Sequence, residues 1–417
     1  MKIEELYQHY KQVGLVATDT RNIEKNTIFF ALKGPNFNGN AFAEKALEAG
    51  AAFSIVDEAI YATKPAILLV DNVLETLQKL ANYHRRQLNI PIIGLTGSNG
   101  KTTTKELLHA VLSKKYKTVA TVGNLNNHIG VPLTLLSMNA ETEIGIVEMG
   151  ANHQKEIEFL SQLCAPNFGY ITNFGKAHLE GFGGIEGVVK GKSELYTYLK
   201  NEGGTAFVNP DDSLQLEKTK ALDRIFFEKE LILKKTTPFL TVAYRGSSIK
   251  SQLIGTYNFT NICAAITVGH HFGIAPTAIK EALESYVPSN NRSQIIQKGT
   301  HTIVLDAYNA NPTSMKAAIE SFKTMEGENK VLILGDMFEL GKYGLEEHQK
   351  IATLLQSATF KKVYLIGALF HKITTDALQF KEFSDFKQHL KTQNLSNGTI
   401  LIKGSRGMQL ERVLELL

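Results

Sequence analysis

The segment Pro91-Ile-Ile-Gly-Leu-Thr-Gly-Ser-Asn-Gly-Lys-Thr-Thr-Thr104 decides the fold, because it is typical of a strand, a glycine loop and a helix start in direct succession. Ile90 to Leu95 predict a short buried strand, and the apolar positions 107, 108, 111 and 112 share one face of the following helix. Gly97 and Gly100 let the backbone curl so that successive N–H groups face one point. The segment therefore predicts a loop that holds phosphate.

Two side chains after the glycines carry the chemistry that a nucleoside triphosphate requires. Lys101 can reach the β- and γ-phosphates as a point charge, and the hydroxyl of Thr102 can bind Mg²⁺. The strict motif has glycine where Leu95 stands, so an ordinary strand-to-helix turn is the alternative interpretation.

Length and composition favour a multidomain enzyme of the cytosol. The chain has 417 residues, enough for two or three domains with a large buried core, and we expect three. The N-terminus is charged, and no apolar run approaches the roughly 18 residues of a membrane-spanning helix. We therefore expect neither a signal peptide nor a membrane segment.

Charge and cysteine content argue against two further classes of protein. The net charge is only +4, and no basic stripe with interleaved aromatic residues is present, so nucleic acid is not an expected partner. Cys164 and Cys263 lack the spacing of metal ligands and are too few for a disulfide framework. Both are predicted to be small buried residues, and no zinc site is expected.

The first two blocks of the chain have the patterns of α/β domains. Residues 1–88 contain three strand-like apolar runs and a helix-like segment at 41–49, which predict a small α/β domain. Residues 89–292 add strands at 143–148 and 168–172, each followed by helical periodicity. That order is typical of a parallel sheet with crossover helices. The three apolar runs of the first block lie at 27–32, 52–56 and 66–70.

A polar stretch at 288–293 marks a second boundary and opens the third block. Residues 293–417 repeat the pattern of an apolar strand followed by a polar loop, which predicts an open α/β sheet. The expected fold class is therefore α/β with mostly parallel sheets. The strand-like runs of this block are 302–306, 330–335, 362–367 and 399–403.

Polar side chains that end apolar strands are the candidates for chemistry, since ligands gather at the carboxyl ends of parallel strands. Glu148 ends a strand downstream of the phosphate loop, and it is either a metal ligand or a solvated carboxylate. Asp306 ends a later strand, and the hydrogen-bonding loop 307–314 after it favours ligand recognition. The loops 335–341 and 403–406 also follow strands, and each is either a further ligand loop or a plain turn.

Histidine and lysine near the predicted crevice are weaker candidates from their chemistry alone. His178 lies in the glycine-rich segment 173–183, which predicts a loop at the crevice, but Mg²⁺ prefers oxygen ligands. His153 fits a helix cap or an exposed side chain better than a metal ligand. Lys192, considered by itself, is predicted to be one more exposed lysine of a helix.

Six motifs along the chain together resemble those of the Mur ligases. They occur in the family's order from about residue 19 to residue 406, so the resemblance covers nearly the whole chain. Three of them indicate the branch that adds D-alanyl-D-alanine, namely those at 123–132, 306–312 and 335–341. The six are Thr96-Gly-Ser-Asn-Gly-Lys-Thr102, Gly123-Asn-Leu-Asn-Asn-His-Ile-Gly-Val-Pro132, Val147-Glu-Met-Gly-Ala-Asn-His153, Ala177-His-Leu-Glu-Gly-Phe-Gly183, Asp306-Ala-Tyr-Asn-Ala-Asn-Pro312 and Gly335-Asp-Met-Phe-Glu-Leu-Gly341.

The resemblance implies an ATP-dependent ligase of peptidoglycan precursor synthesis in the cytoplasm. Such a ligase adds D-alanyl-D-alanine to UDP-N-acetylmuramoyl-tripeptide through an acyl phosphate, giving UDP-N-acetylmuramoyl-pentapeptide, ADP and phosphate. It also implies a UDP-substrate domain at 1–88, a P-loop ATPase domain at 89–292 and a Rossmann-like domain at 293–417. We expect a monomer. The rival hypotheses are another Mur or folate ligase with a different amine, and a nucleotide-binding switch without ligase chemistry.

The resemblance also implies roles for individual residues. Lys101 would contact phosphate, Glu148 and His178 would bind Mg²⁺ with Thr102, and Lys192 would be carbamylated by CO₂ into a carboxylate-like group for a second Mg²⁺. The implied ATP-binding residues are Gly97, Ser98, Asn99, Gly100, Lys101, Thr102, Thr103, Asn258, Asn261, Arg292 and Asp306. The implied substrate-binding residues are Thr20, Arg21, Lys33, Asn124, Asn126, Asn127, Tyr308, Asn309 and Asn311.

Three positions depart from the family pattern. Tyr257 stands where the family usually has histidine, and His128 stands where it usually has an acidic residue. Asn291 replaces the glycine that usually precedes Arg292. The first two departures remove no group that the chemistry needs.

Overall fold

Three α/β units follow one another along the chain. A computed structural model describes residues 1–289, 291–357, 359–393, 395 and 397–417. The main sheet has four strands in the first unit and six in each of the others, and the predicted α/β class with mostly parallel sheets is confirmed. Within the described residues, no helix combines the length and the apolar character that crossing a bilayer requires.

The first unit is a small parallel sheet with helices packed against it. Its elements are α1 (Ile3–Val13), β1 (Val16–Ala17), β2 (Ile28–Phe30), β3 (Lys33–Gly34), β4 (Phe37–Asn38), α2 (Ala43–Glu48), β5 (Phe53–Val56), β6 (Ile67–Leu69) and α3 (Val73–Gln87). The strand order is β1-β2-β5-β6, while β3 and β4 form a separate antiparallel pair. All three residues of β2 are buried, since this strand lies inside the sheet, and such strands are continuously apolar.

Polar contacts from α1 and α3 fix the first unit on the second. Tyr10 Oη donates a hydrogen bond to the carbonyl oxygen of Leu136 at 2.7 Å. The buried Arg85 donates from Nε to the carbonyl of Cys164 at 3.0 Å and from Nη2 to that of Ala165 at 2.8 Å. A guanidinium that donates to the last carbonyl groups of a helix also interacts favourably with the negative end of that helix dipole.

The second unit contains a six-stranded parallel sheet and a separate three-stranded antiparallel sheet. Its elements are β7 (Ile92–Thr96), α4 (Lys101–Leu112), β8 (Thr118–Ala120), α5 (Gly130–Leu136), β9 (Ile144–Glu148), α6 (Glu156–Cys164), β10 (Phe168–Ile171), α7 (Leu179–Phe182), α8 (Ile185–Glu202), β11 (Thr205–Val208), α9 (Ser213–Lys218), β12 (Asp223–Phe226), β13 (Ile232–Lys235), β14 (Thr241–Tyr244), β15 (Ser247–Lys250), α10 (Asn258–His271) and α11 (Pro276–Ser285). The sheet order is β12-β11-β10-β7-β9-β8.

Strand register places the phosphate loop between the carboxyl ends of β9 and β10, the strands on either side of β7. Leu95 of β7 lies opposite Glu148 of β9, and Thr96 lies opposite Ile171 of β10. The loop after β7 therefore emerges at the carboxyl edge of the sheet, between the ends of β9 and β10, which is where open α/β sheets bind ligands.

The antiparallel sheet of β13, β14 and β15 was not predicted from the sequence. Three of the four residues of β13 are exposed, and in β15 only Ile249 is buried. Strands with so few apolar positions give weak period-2 patterns, so they are hard to distinguish from loops. The buried side of this sheet is formed by Leu240, Val242 and Ile249.

The third unit is an open sheet of six strands, five of them parallel. Its elements are β16 (Gln294–Lys298), β17 (His301–Asp306), α12 (Pro312–Thr324), β18 (Val331–Gly335), α13 (Gly344–Gln356), β19 (Lys362–Ile366), β20 (Leu378–Phe380), α14 (Phe383–Lys391) and β21 (Gly398–Lys403). The order is β16-β17-β21-β18-β19-β20, with β16 antiparallel to β17. Short 3₁₀ helices of the described residues lie at Thr20–Asn22, Gly39–Phe42, Ala59–Tyr61, Gly341–Tyr343, Phe370–Lys372, Arg406–Met408 and Leu410–Leu416.

Several sequence predictions can be compared directly with these elements. Cys164 and Cys263 are buried free thiols, as predicted, and burial raises the pKa of each thiol to about 12. The segment around His178 is not wholly a loop, because Leu179 and Phe182 are buried and form the single turn of α7. In the polar stretch 288–293, position 290 lies outside the described residues.

Candidate active site

The phosphate loop leaves β7 and is braced by the end of β10. Thr172 Oγ1 donates to the carbonyl oxygen of Asn99 at 2.6 Å, and Oδ1 of Asn173 accepts the N–H of Asn99 at 3.1 Å. Lys101 Nζ donates to the carbonyl oxygen of Gly97 at 2.7 Å, so the ammonium lies over the loop. The loop is thus a fixed cradle with one cation at its centre, which suits a phosphate chain.

A side chain at Gly97 of this loop has no room. Its φ is 140°, and a Cβ there would lie 2.0 Å from Oγ1 of Thr172. We expect Gly97→Ala to lower the free energy of unfolding by roughly 2–4 kcal/mol, from overpacking and backbone strain together, and to weaken ATP binding. Chemical denaturation and calorimetry with ATP measure the two effects.

Gly203→Ala is the matched control for that substitution. Gly203 has a φ of 68°, but a Cβ there would have nothing within 4 Å. We expect this variant to lose only about 1 kcal/mol of stability, from backbone strain alone, and to bind ATP normally. Equal losses of stability in the two variants would contradict the steric explanation.

Glu148 lies beside Thr102 at the end of β9 and is 1% exposed. Its Oε1 accepts a hydrogen bond from Nδ2 of Asn126 at 2.8 Å and lies 3.4 Å from Oγ1 of Thr102. Its Oε2 is buried and has no hydrogen-bond partner among the described residues. The interpretation of Glu148 as a solvated carboxylate is therefore wrong. A buried anionic oxygen without a donor is costly unless a cation compensates it, so this group fits an Mg²⁺ ligand.

His178 stands at the start of α7 and lines the same cavity as Glu148. Nδ1 of its ring contacts the carboxylate of Glu339 from the third unit, and this contact lowers the pKa of Glu339. Within the described parts of the chain, no three His, Cys, Asp or Glu side chains form a metal cluster by themselves. A site for Mg²⁺ with a nucleotide needs no such cluster, because Mg²⁺ there is bound through one or two carboxylates together with phosphates and water.

Lys192 is buried, which contradicts the prediction, from local sequence, of an exposed lysine. It is 1% exposed, its Nζ donates to the carbonyl of Ala151 at 3.1 Å, and that nitrogen lies 5.1 Å from the ring centroid of Phe182. Burial, and next the charge of Lys101, holds the pKa of Lys192 well below its usual range. The side chain therefore favours the neutral amine, the form that combines with CO₂, so the residue fits a carbamylated lysine.

Helical spacing carries a signal for this burial that the sequence reasoning missed. Val188, Leu195 and Leu199 are buried on α8, and Lys192 shares their face at intervals of three or four residues. A lysine on the apolar face of a helix is expected to be buried. Lys190, two positions earlier, is exposed.

Two asparagines of α10 pack against the helix that follows the phosphate loop. Asn258 and Asn261 are each 3% exposed, and Nδ2 of Asn261 donates to Oδ1 of Asn258 at 2.8 Å. Oδ1 of Asn261 accepts from Oγ1 of Thr104 at 3.1 Å. The hydroxyl of Tyr257 shares a hydrogen bond with Oγ of Ser293 at 2.7 Å, which links α10 to the start of the third unit.

A buried ion pair fixes the carboxyl end of β17. Oδ2 of Asp306 accepts from Nζ of Lys403 at 2.6 Å, and Lys403 is 2% exposed. Oδ1 of Asp306 accepts the N–H of Ser293 at 3.1 Å. The guanidinium of Arg292 lies 3.7 Å from the ring centroid of Tyr308, a cation–π contact. The loop that begins at Lys403 is therefore more than a plain turn.

The third unit also contacts the phosphate loop and the His178 segment. Nδ2 of Asn311 donates to Oδ1 of Asn99 at 2.6 Å. The N–H of Lys176 donates to Oγ1 of Thr313 at 2.9 Å, and Nζ of Lys176 pairs with Glu347 at 2.7 Å. These three contacts hold the third unit closed over the loop.

The elements around the phosphate loop enclose a cavity of about 730 Å³, large enough for a nucleotide or a small substrate. Of the predicted site residues, the cavity wall contains Ser98, Asn99, Gly100, Lys101, Thr102, Thr103, Asn124, Asn126, Asn127, Glu148, His178, Asn258, Asn261, Arg292, Asp306, Tyr308, Asn309 and Asn311. The predicted residues that do not line it are Gly97, Lys192, Thr20, Arg21 and Lys33. Lys33 instead pairs with Asp57 at 2.9 Å, and Arg21 pairs with Asp19.

Other lining residues were not predicted individually as site residues, although Thr313 lies in the loop 307–314 and Lys403 in the loop 403–406, both of them candidate ligand loops from the sequence. Tyr257, Thr313 and Lys403 come from three separate segments, and only the fold brings them to one wall. Lys155 and Phe159 extend that wall along α6. His153, as predicted, is an exposed side chain.

Comparison with known proteins identifies the family. The profile described as "Mur ligase middle domain" matches residues 95–269, and that described as "Mur ligase, glutamate ligase domain" matches residues 291–406. A UDP-N-acetylmuramoyl-tripeptide–D-alanyl-D-alanine ligase of Bacillus subtilis is 36% identical over 420 residues, covering 96% of this chain and 92% of that protein. This chain belongs to the MurF family of Mur ligases. The predicted resemblance is thereby confirmed.

Solved structures agree with this assignment to the Mur ligases. A crystal structure of MurF from Acinetobacter baumannii is 30% identical, with a TM-score of 0.86, and covers 99% of this chain and 98% of that one. The MurF ligase from Thermotoga maritima in complex with ADP is 28% identical, with a TM-score of 0.84 and 96% coverage of each chain. This Mur ligase is accordingly an ATP-dependent ligase, and the hypothesis of a switch without ligase chemistry is wrong.

Proposed function

We propose that this Mur ligase joins D-alanyl-D-alanine to UDP-N-acetylmuramoyl-tripeptide, with ATP converted to ADP and phosphate. The relatives that match nearly the whole chain carry this activity in their names. The observation that supports it most directly is the cavity, where the phosphate loop, Glu148 and the loops of the third unit meet. Such a two-step condensation requires an ATP site that another unit closes, and here the third unit closes the ATP site of the second.

The reaction requires activation of a carboxylate. A carboxylate oxygen is a poor leaving group, so the terminal carboxylate of the tripeptide first takes the γ-phosphoryl group of ATP, and ADP leaves. The amino group of D-alanyl-D-alanine then attacks the carbonyl carbon of this acyl phosphate. The tetrahedral intermediate expels inorganic phosphate, and the pentapeptide product results.

The chain's own part in this chemistry is electrostatic and positional. Backbone N–H groups at the start of α4 and the ammonium of Lys101 hold the phosphates and neutralise charge that builds up on the transferred group. Thr102, Glu148 and His178 would hold Mg²⁺, which supplies further positive charge beside the phosphates when bound. Lys192 as a carbamate would add an anionic ligand for a second Mg²⁺.

We assign substrates to the units by their lining groups. Residues 89–292 bind ATP, with Asn258, Asn261 and Arg292 on the nucleotide side, and residues 293–417 close over it and contribute Asp306. Residues 1–88 bind the UDP end, with Thr20, Arg21 and Lys33 outside the cavity wall at one end of an extended substrate. The polar groups proposed for the remaining substrate contacts are Asn124, Asn126, Asn127, Tyr308, Asn309 and Asn311. We also propose that this enzyme is a monomer and acts in the cytoplasm.

Closure of the third unit protects the intermediate. An acyl phosphate reacts with water, and the contacts of Asn311, Thr313 and Glu347 with the second unit cover the phosphate loop. A closed cavity keeps water from the acyl phosphate until the amine attacks.

A coupled phosphate-release assay tests the proposal. The enzyme is supplied with ATP, Mg²⁺ and UDP-N-acetylmuramoyl-tripeptide ending in L-lysine or in diaminopimelate, each with and without D-alanyl-D-alanine. We expect rapid release of phosphate only when the tripeptide and the dipeptide are both present, and mass spectrometry should show the pentapeptide. Release with a different amine but not with D-alanyl-D-alanine would favour another Mur ligase activity. Release without any amine would contradict the proposal.

Substitution of the proposed metal ligands tests their roles. We expect Glu148→Gln and His178→Ala to lower kcat on the order of 10²-fold while the affinity for ATP changes much less, because metal ligands act chiefly as phosphoryl charge develops. Steady-state kinetics and calorimetry at saturating Mg²⁺ separate the two quantities. His153→Ala is the control, since that histidine is exposed. Wild-type turnover in both ligand variants would show that the two residues serve the structure only.

A further inference from the structure

The loop between β18 and α13 projects from the third unit onto the segment that holds His178. The carboxylate of Glu339 contacts Nδ1 of His178, and the carbonyl oxygen of Glu339 accepts the N–H of Glu180 at 3.2 Å. Gly341 packs on the same segment, since a Cβ there would lie 3.1 Å from the side chain of Glu180. One residue of the third unit therefore contacts both the ring of His178 and the turn that follows it.

Buried groups hold this loop in place. Asp336 is 3% exposed and accepts two backbone N–H groups from the loop after β19, at 2.8 and 2.9 Å. The N–H of Met337 donates to Nε2 of the fully buried His348 at 3.0 Å, and that of Phe338 donates to Oγ of Ser405 at 2.8 Å. The backbone leading to Glu339 is thus anchored at three successive residues.

The turn at Glu339 directs its side chain out of the third unit. Glu339 has a φ of 61°, a left-handed conformation that residues other than glycine adopt in only a few per cent of cases. Its side chain is 51% exposed, whereas that of His178 is 19% exposed. The glutamate contributes little to the core of its own unit, and the histidine is the less exposed partner of the contact.

We propose that Glu339 is a positioning residue for His178. A carboxylate in contact with Nδ1 favours the proton on that nitrogen, which leaves the lone pair of Nε2 free, and it restricts the orientation of the ring. A histidine that binds metal commonly has such a second partner. This inference rests on the proposed function, in which His178 is a ligand of Mg²⁺.

The contact also couples closure of the third unit to the metal site. His178 belongs to the second unit and Glu339 to the third, so the ring receives its partner when the two units are together. The pair formed by Lys176 and Glu347 crosses the same interface at 2.7 Å without touching His178. Closure of the third unit therefore excludes water and also orients the ring of His178 as a metal ligand.

Binding of Mn²⁺ in the presence of ADP, followed by electron paramagnetic resonance, tests the proposal without turnover. We expect Glu339→Ala to weaken Mn²⁺ binding about tenfold, within the range typical for loss of such a partner, and Glu339→Asp to restore part of it. Glu346→Gln is the control, because Glu346 is an exposed glutamate of the same unit that pairs only with Lys350 among the described residues. This control should bind Mn²⁺ as the wild type does.

A double-mutant cycle on kcat shows whether Glu339 acts through His178. We expect Glu339→Ala to lower kcat about tenfold in the wild-type background, with a smaller change in KM for ATP, and to have no further effect in His178→Ala. Normal Mn²⁺ binding in Glu339→Ala, or losses that multiply in the double variant, would overturn the inference. If His178→Ala itself keeps normal Mn²⁺ binding and turnover, the metal role in the proposed function fails, and this inference fails with it.

Discussion

Lys192→Ala is expected to reduce ligation on the order of 10³-fold, and formate or acetate is expected to restore part of the activity. A carbamate presents two anionic oxygens in a buried site, which alanine cannot supply, and a small carboxylate can occupy the space left by the side chain. Loss of one well-placed electrostatic group typically costs on the order of 10²–10³-fold in rate. Phosphate release, measured over a range of carboxylate concentrations, gives both effects.

The physical basis of this expectation is the state of the Lys192 amine. Carbamylation requires a neutral amine, and burial together with the charge of Lys101 lowers the pKa of Lys192, which favours that form. Lowering the pH protonates the amine and should release CO₂. In a buffer freed of CO₂, the wild-type enzyme should therefore lose activity more readily at lower pH and regain it when bicarbonate is added.

Lys190→Ala is the matched control for this substitution. Lys190 lies on the same helix but is exposed, so its loss should leave both activity and stability nearly unchanged. An active Lys192→Ala variant would refute the assignment. An inactive variant that stays folded but that no carboxylate restores would leave Lys192 necessary and its carbamylation unsupported.

Lys101→Ala is expected to reduce ligation by about 10²-fold or more while the protein remains folded. Lys101 is the cation of the phosphate loop, and its Nζ lies over the loop at 2.7 Å from the carbonyl oxygen of Gly97. Without it, charge on the β- and γ-phosphates is under-compensated during transfer. The measurement is steady-state phosphate release, with circular dichroism to confirm folding.

Lys114→Ala provides the comparison at the opposite end of the same helix. Lys114 follows the last turn of α4 and pairs with the exposed Glu281 at 2.9 Å, a surface ion pair of little energetic weight. It should keep normal turnover. A Lys101→Ala enzyme with more than half of the wild-type turnover would contradict the assignment of the phosphate loop.

Much of the fold could be predicted because the strands that build it are continuous apolar runs. The segments at 92–96, 144–148 and 331–335 are buried at every position, and such runs bounded by polar loops are distinctive. The sheet of β13 to β15 could not be predicted, because two of its three strands, β13 and β15, are largely exposed. Burial on both faces of a strand leaves a pattern in the sequence, whereas partial burial in a short strand does not.

The candidate site was predictable where its residues lie close in sequence. The phosphate loop carries its glycines, lysine and threonine in one segment, so local spacing was sufficient. Contacts between distant segments were not predictable in this way: Lys403 is 97 positions from Asp306, and Glu339 belongs to a different unit from His178. The burial of Lys192 has a local signal in the spacing of α8, whereas its contacts with Ala151 and Phe182 have none.

The amide of Asn311 has consequences for inhibitor design. Oδ1 of Asn311 caps α12 by accepting the N–H of Ser314 at 2.9 Å, while Nδ2 reaches Asn99 at 2.6 Å. Replacing the residue to evade a compound would forfeit a helix cap, typically about 1 kcal/mol, together with the contact to the phosphate loop. A compound anchored on this one amide would therefore leave few routes to resistance that spare the enzyme itself.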